Sequence, residues 1–297
     1  MSMSQKTWLA NNTASLKGKT VVITGATGGL GTEICRSVLA LEGRLVLVNR
    51  SADKSRTLRG QLLEEHPGSD IVCLTADLTD MDSVKAVCTQ LEQEPVDFLI
   101  LNAGAYAIPR RTCATGYDNV FQTNFVSHYY MVKRLLPHLA ARRAKVLAMG
   151  SIAHNYSKTD PADIDFAGRK KASKVYGNSK RYLMFALTEL LKNNPDVRFA
   201  IAHPGIAFTN ITAHYPPLLF AIIKYPMKVI FLQPCQAARS MVKALFTDVP
   251  SLHWIGPKLF DIWGNPSVKA LTTCDEEERR RIFETAEAIY AKLTASE

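Results

Sequence analysis

Six short runs of apolar, mostly β-branched residues alternate with helix-patterned segments from Lys19 onward, and this alternation constrains the architecture more than any single motif. The runs are TVVITG (20–25), RLVLVNR (44–50), IVCLTADL (71–78), VDFLILNAG (96–104), AKVLAMGS (144–151) and VRFAIAHPG (197–205). Between them lie segments with apolar residues at helical spacing. They include GTEICRSVLALEG (31–43), ADKSRTLRGQLLEEH (52–66), a helix capped near Thr79 or Asp80, NFVSHYYMVKRLLPHLAA (124–141) and SKVYGNSKRYLMFALTELLKN (173–193). A helix between two strands is the crossover that parallel pairing demands. Runs that are apolar at nearly every position suit a sheet covered on both faces. The pattern predicts an α/β fold, one doubly wound parallel sheet with helices on both faces. No repeat, low-complexity tract or long linker interrupts it, so residues 18–297 read as one domain behind a polar lead-in, 1–17. Ligands of such sheets bind at the carboxyl ends of the strands.

Composition narrows the function classes. Hydrophobic residues fill 47% of 297 positions and charged ones 21%, the balance of a soluble globular chain. Lys plus Arg exceeds Asp plus Glu, 36 to 27, which favours an anionic partner such as a phosphate-bearing cofactor. The basic residues are scattered and form no basic-aromatic module, so no nucleic acid partner is expected. The six cysteines make no C-x-x-C pair and no ligand spacing with His. Reduced thiols in a cytoplasmic protein, without a metal site, are the expectation. The first 19 residues hold no apolar core of signal-peptide length. The apolar stretch 215–234 is broken by Lys224, Pro226 and Lys228 and falls short of the ~20 apolar residues of a spanning helix.

The strand-to-helix junction TGATGGLG (24–31) has two registers, Gly25, Gly29 and Gly31 or Gly25, Gly28 and Gly31. In either, the missing side chains let the turn tighten and let a pyrophosphate reach the N–H groups of the helix start. The second strand ends Asn49–Arg50, with no carboxylate to bind a ribose 2′-hydroxyl. A guanidinium there suits a 2′-phosphate, which selects NADP(H) over NAD(H). Asp77, before Leu78, suits an adenine amino group or a charge at the next helix start. Tyr176 and Lys180 stand four apart on a predicted helix and share its face. A phenol titrates near ~10 in water. A neighbouring ammonium lowers that value and lets the tyrosine exchange a proton with a carbonyl or alcohol oxygen.

The glycine loop, LNAG (101–104), an Asn opening the next helix, a Ser ending the fifth strand, Y-x-x-x-K and HPG (203–205) occur in that order. As a set they resemble the short-chain dehydrogenase/reductase family over roughly residues 18–250. The resemblance implies a Rossmann-type fold and hydride transfer between NADP(H) and a carbonyl or alcohol carbon. It implies Tyr176 as acid/base, Lys180 on the nicotinamide ribose, Ser151 polarising the substrate oxygen and Asn124 anchoring a proton-relay water. The implied cofactor bed is Gly25, Thr27, Gly29, Leu30, Gly31, Asn49, Arg50, Asp77, Leu78, Asn102, Ala103 and Gly104, with Tyr176 and Lys180. Pro204, Gly205, Ile206 and Thr209 complete its nicotinamide side.

Several features depart from the family pattern. Leu101 stands where the family commonly has Asn, MGS replaces a Ser pair, and Tyr176 comes 25 positions after Ser151. That insert, LILNAGAY and HPGIAFTNI resemble the retinol-dehydrogenase-like and protochlorophyllide-reductase-like branch. The second glycine register belongs to extended relatives, and the sequence after HPG is too short for their substrate domain, so Gly25, Gly29 and Gly31 are the working set. Residues 207–234 read as a lid over a lipophilic carbonyl or alcohol substrate, and its lysines leave a peripheral membrane contact open. GPKLFDIWG (256–264) reads as a turn-rich connector and 275–293 as a helix, while His128 and His203 read as structural and His154, just past Ser151, as a loop residue or a residue lining the pocket. A homodimer through the helices near Asn124 and Ser173 is compatible with the resemblance. Two other readings stay open: a catalytically silent NADP(H)-binding protein, and a double-bond reductase of a large ring pigment.

Overall fold

The computed structural model describes residues 3–156, 158–206 and 232–295. All six apolar runs are strands: β1 (Thr20–Thr24), β2 (Arg44–Asn49), β3 (Ile71–Thr75), β4 (Val96–Leu101), β5 (Lys145–Met149) and β6 (Arg198–Ala202). Two more follow, β7 (His253–Leu259) and β8 (Trp263–Ala270). The eight lie in one sheet, ordered β3-β2-β1-β4-β5-β6-β7-β8. The strand order reverses between β1 and β4, which opens a crevice at the carboxyl ends of both.

The helices are α1 (Met3–Asn12), α2 (Gly29–Ala40), α3 (Ala52–Glu65), α4 (Met81–Leu91), α5 (residues 119–141), α6 (Ala172–Lys192), α7 (Arg239–Phe246) and α8 (Glu276–Thr294). Helices α4, α5, α6 and α8 bury one face of the sheet under Val22, Leu99 and Val146. Helices α2, α3 and α7 bury the other under Ile23, Ile100 and Leu147. Neighbouring residues on one strand thus enter opposite cores, which explains strands apolar at every position. Asp80 caps α4, its side chain accepting from the Asp82 N–H.

The sheet is doubly wound and mostly parallel, as the pattern predicts, and two other expectations need correcting. The last strand, β8, runs antiparallel to β7. The segment 256–264 is therefore the end of a hairpin and not a connector. Trp254 and Ile255 extend the sheet beside β6, and the turn is made by Phe260 and Asp261 at φ +52 and +56. The polar lead-in also has structure, since α1 packs Trp8 and Leu9 onto Val242. Most of the expected lid, residues 207–231, with Thr209, lies outside the described residues. Among the described residues no helix is long and apolar enough to cross a membrane.

Candidate active site

The turn after β1 is shaped by two glycines. Gly25 has φ +68, and a Cβ there would lie 2.7 Å from the Ala103 Cα. A Cβ on Gly31 would meet the Gly25 carbonyl oxygen at 2.5 Å. Gly28 would meet only that oxygen, at 3.4 Å, and Gly29, first residue of α2, meets nothing within 4 Å. Packing therefore demands glycine at the two positions shared by both registers and accepts a side chain at either middle one. The open ground over Gly29 is what a pyrophosphate needs to reach a helix N-terminus. Gly25→Ala is expected to lower the melting temperature, with at least ~1–2 kcal/mol lost to the left-handed backbone alone. Gly29→Ala should leave it within error, and thermal unfolding of the two variants checks the contrast.

The strand ends around this turn are tied together. Thr24 Oγ1 accepts the N–H groups of Asn102 at 3.1 Å and Ala103 at 3.0 Å. The Asn102 amide donates to the carbonyls of Thr24 and Gly25, both at 3.0 Å. Asn49 is buried, accepts from the Thr27 N–H at 3.3 Å and donates to Ser55 Oγ at 2.9 Å. It braces the turn, whereas Arg50 beside it is exposed and makes no hydrogen bond or ion pair among the described residues. Asp77 Oδ1 accepts from the backbone and hydroxyl of Thr79, at 2.9 and 2.8 Å, which closes a local turn before α4. Leu78 is buried beside it.

Across the crevice, α6 carries Tyr176 and Lys180. The Lys180 ammonium is buried, 5.8 Å from the centre of the Tyr176 ring, and donates to the Met149 carbonyl at 2.8 Å. Burial alone lowers its pKa to about 8. Gly104 lies against it, a Cβ there falling 3.4 Å from Asn124 Oδ1 and 3.6 Å from Lys180 Nζ. Ser151, at the end of β5, stands beside the Tyr176 phenol and works to lower its pKa. The expected lowering of the Tyr176 pKa is absent here. Burial pushes the phenol up to about 12, and Ser151 beside it offsets only part of that. Desolvation of the phenolate is the largest cause of the shift.

Asn124 sits in a π-helical turn, Gln122–Val126, within α5. Its side chain is fully used: Oδ1 accepts from the Ala105 N–H at 2.7 Å, and Nδ2 donates to the Ala105 carbonyl at 3.0 Å and to Ser179 Oγ at 2.9 Å. The amide thus pins the segment after LNAG onto α6, and the backbone carbonyl of Asn124 faces His128 Nδ1 at 3.2 Å. Pro204, Gly205 and Ile206 follow β6, with Gly205 at φ +78 wedged against the Ile262 carbonyl of the hairpin.

Sequence reasoning missed Tyr106 and Arg181 and left His154 open between a loop residue and a pocket residue. Tyr106 stands edge-on to Tyr176, ring centres 5.2 Å apart. His154 is fully buried, and its Nδ1 donates to the Ser151 carbonyl at 2.6 Å while Nε2 accepts from Thr273 at 2.8 Å. Arg181, next to Lys180, donates to the His154 carbonyl at 3.1 Å and pairs with Glu278 of α8. Of the two missed, only Tyr106 left a signal, two places after LNAG.

A crevice at the switch point, floored by a glycine turn and walled by a Tyr–Ser pair over a buried lysine, marks a dinucleotide-binding α/β protein. The chain belongs to the short chain dehydrogenase family, whose model matches residues 19–216. Among curated proteins it is similar to human retinol dehydrogenase 14, 25% identical over 300 residues that cover 94% of this chain and 88% of that one. It is 28% identical to human retinol dehydrogenase 13 over 211 residues, 68% of this chain and 62% of that protein's length. Among solved structures it resembles an uncharacterized protein from Mycobacterium paratuberculosis, with TM-score 0.72, 22% identity and 96% and 97% of the two chains covered. A short-chain dehydrogenase from Sphingobium yanoikuyae, solved in complex with NADPH, matches with TM-score 0.59 at 22% identity over 75% of this chain and 83% of that one.

Proposed function

We propose that the protein is an NADP(H)-dependent oxidoreductase acting between a carbonyl and an alcohol on a lipophilic substrate. The observation that carries this reading is the Tyr176 ring set 5.8 Å from the buried Lys180 ammonium, with Ser151 beside the phenol, at the carboxyl ends of the central strands. Gly25, Thr27, Gly29, Leu30 and Gly31 would cradle the pyrophosphate, and Gly29 is open where a phosphate must approach. Asp77, Leu78, Asn102, Ala103 and Gly104 would flank the adenosine and ribose, and Pro204, Gly205, Ile206 and Thr209 the nicotinamide. NADPH supplies the hydride in reduction.

This chain's own residues then do three things. Ser151 holds the substrate oxygen beside the phenol, its turn fixed by His154. Tyr176 donates its proton to that oxygen in reduction and takes it back in oxidation. Lys180 spends one N–H on the Met149 carbonyl, and its others are available to ribose hydroxyls. The retinol dehydrogenases among its relatives favour a retinoid-like or other lipophilic aldehyde, ketone or alcohol.

Titration with NADPH and NADH, followed by nicotinamide fluorescence, tests the reading first. NADPH should bind at least about tenfold more tightly, because a charge-assisted contact contributes ~1.5–3 kcal/mol. Arg50→Asp should erase that preference through loss of the NADPH contact. Binding of neither nucleotide overturns the proposal, and an unchanged preference in the variant removes Arg50 from it. A carbonyl panel with NADPH then identifies a substrate.

A further inference from the structure

The chemistry proposed above makes no use of the one imidazole buried between its two halves. His128, in α5, is 0% exposed. Its Nδ1 lies 3.2 Å from the Asn124 carbonyl oxygen and its Nε2 lies 3.0 Å from Thr24 Oγ1. The distances favour one assignment, because the other acceptor open to the Thr24 hydroxyl, the Ile100 carbonyl, lies farther off at 3.5 Å. A carbonyl only accepts, so Nδ1 carries the proton. Burial lowers the imidazole pKa to about 4 against the raising effect of the Asn124 carbonyl, so the ring is neutral and Nε2 is bare. Nε2 must then accept from the Thr24 hydroxyl. With its own proton committed, Thr24 Oγ1 presents lone pairs to the Asn102 and Ala103 N–H groups. One side chain thus joins the end of β1, the LNAG segment and the π-helical turn.

The opposite ends of this chain serve different tasks. Thr24 and Asn102 hold the backbone of the glycine turn, where the nucleotide would bind. Asn124 orders the segment against α6 through Ser179, within one turn of Tyr176. We infer that His128 is a positioning residue that couples the nucleotide-binding turn to the catalytic helix, through Thr24 on one side and the Asn124 carbonyl on the other. The inference rests on the NADP(H) reading.

Two isosteres separate the halves. An Asn side chain reaches about as far as Nδ1 and can still donate to Asn124. A Gln side chain reaches about as far as Nε2 and can still accept from Thr24. His128→Gln should hold the NADPH Kd within about threefold while kcat falls about tenfold, and His128→Asn should do the reverse, the loss of one buried hydrogen bond setting the scale. Equal changes of Kd and kcat in both variants, or a lower melting temperature with neither changed, would reduce His128 to a core residue and overturn the inference. If neither variant folds, ring nitrogen shifts of 15N-histidine-labelled wild type decide: a protonated Nδ1 and bare Nε2 at pH 6 support the coupling, and the other tautomer removes it. Wild type that binds no NADPH rejects the functional reading, and the coupling falls with it. Wild type that binds and turns over, with variants that fail the split, rejects the coupling alone.

Discussion

Tyr176→Phe should lower kcat for carbonyl reduction by about 10²–10⁴-fold while the NADPH Kd stays within about threefold. The substitution removes one oxygen and keeps the ring, which packs edge-on against Tyr106 at 5.2 Å and lies 5.8 Å from the Lys180 ammonium. What it deletes is the proton donor beside Ser151. The pH dependence has a definite sign. Burial raises the phenol to about 12, so the donor form persists through neutral pH and reduction is not limited by its supply. Alcohol oxidation needs the phenolate, so its rate should rise with pH across the same range, and Tyr176→Phe should flatten that rise. Steady-state kinetics in both directions, with fluorescence titration of each variant, measures these quantities. Near-wild-type turnover in Tyr176→Phe would remove the tyrosine from catalysis. A parallel loss of NADPH binding would make its role structural.

What could be read from the sequence depended on the range of the interactions involved. Tyr176 and Lys180 were legible because four residues on a helix share a face whatever surrounds them. The glycine turn was legible because its context, strand before and helix after, is local too. The hairpin of β7 and β8 was not. Pro257 and Pro266 fall inside it, and its turn uses Phe260 and Asp261 at positive φ, where glycine is the usual signal. His154 and Arg181 were opaque for another reason. Each finds its partners through the fold, Arg181 reaching 97 positions along the chain to Glu278. The direction of the Tyr176 pKa failed similarly, since sequence spacing reveals an ammonium nearby but not how much water the fold removes. Asn49 looked like a ligand for the cofactor and is instead a buried brace, so Arg50 alone of that pair faces outward.

Arg181→Met should cost about 3–5 kcal/mol of stability, the usual penalty for stranding one member of a buried ion pair. Arg181 and Glu278 are each 2% exposed at the side chain, with contacts at 2.8 and 2.5 Å. Burial pushes the Glu278 carboxyl up, yet Arg181 and the Thr159 N–H and hydroxyl outweigh that and hold it at about 2. The folded value lies below the ordinary carboxylate range. The pair's contribution is therefore complete above the unfolded pKa of 4.5 and is lost as pH falls toward 2. Chemical denaturation should show wild type losing stability over that window and Arg181→Met losing less. A double variant, Arg181→Met with Glu278→Leu, should recover most of the deficit at pH 7, because no charge is left buried without its partner. That double variant also tests what the pair does for the site. Arg181 donates to the His154 carbonyl, and His154 holds the carbonyl of Ser151. If the pair only stabilises the fold, kcat returns with stability. If the guanidinium also sets the turn that aims Ser151 at Tyr176, kcat stays depressed in a protein that is as stable as wild type.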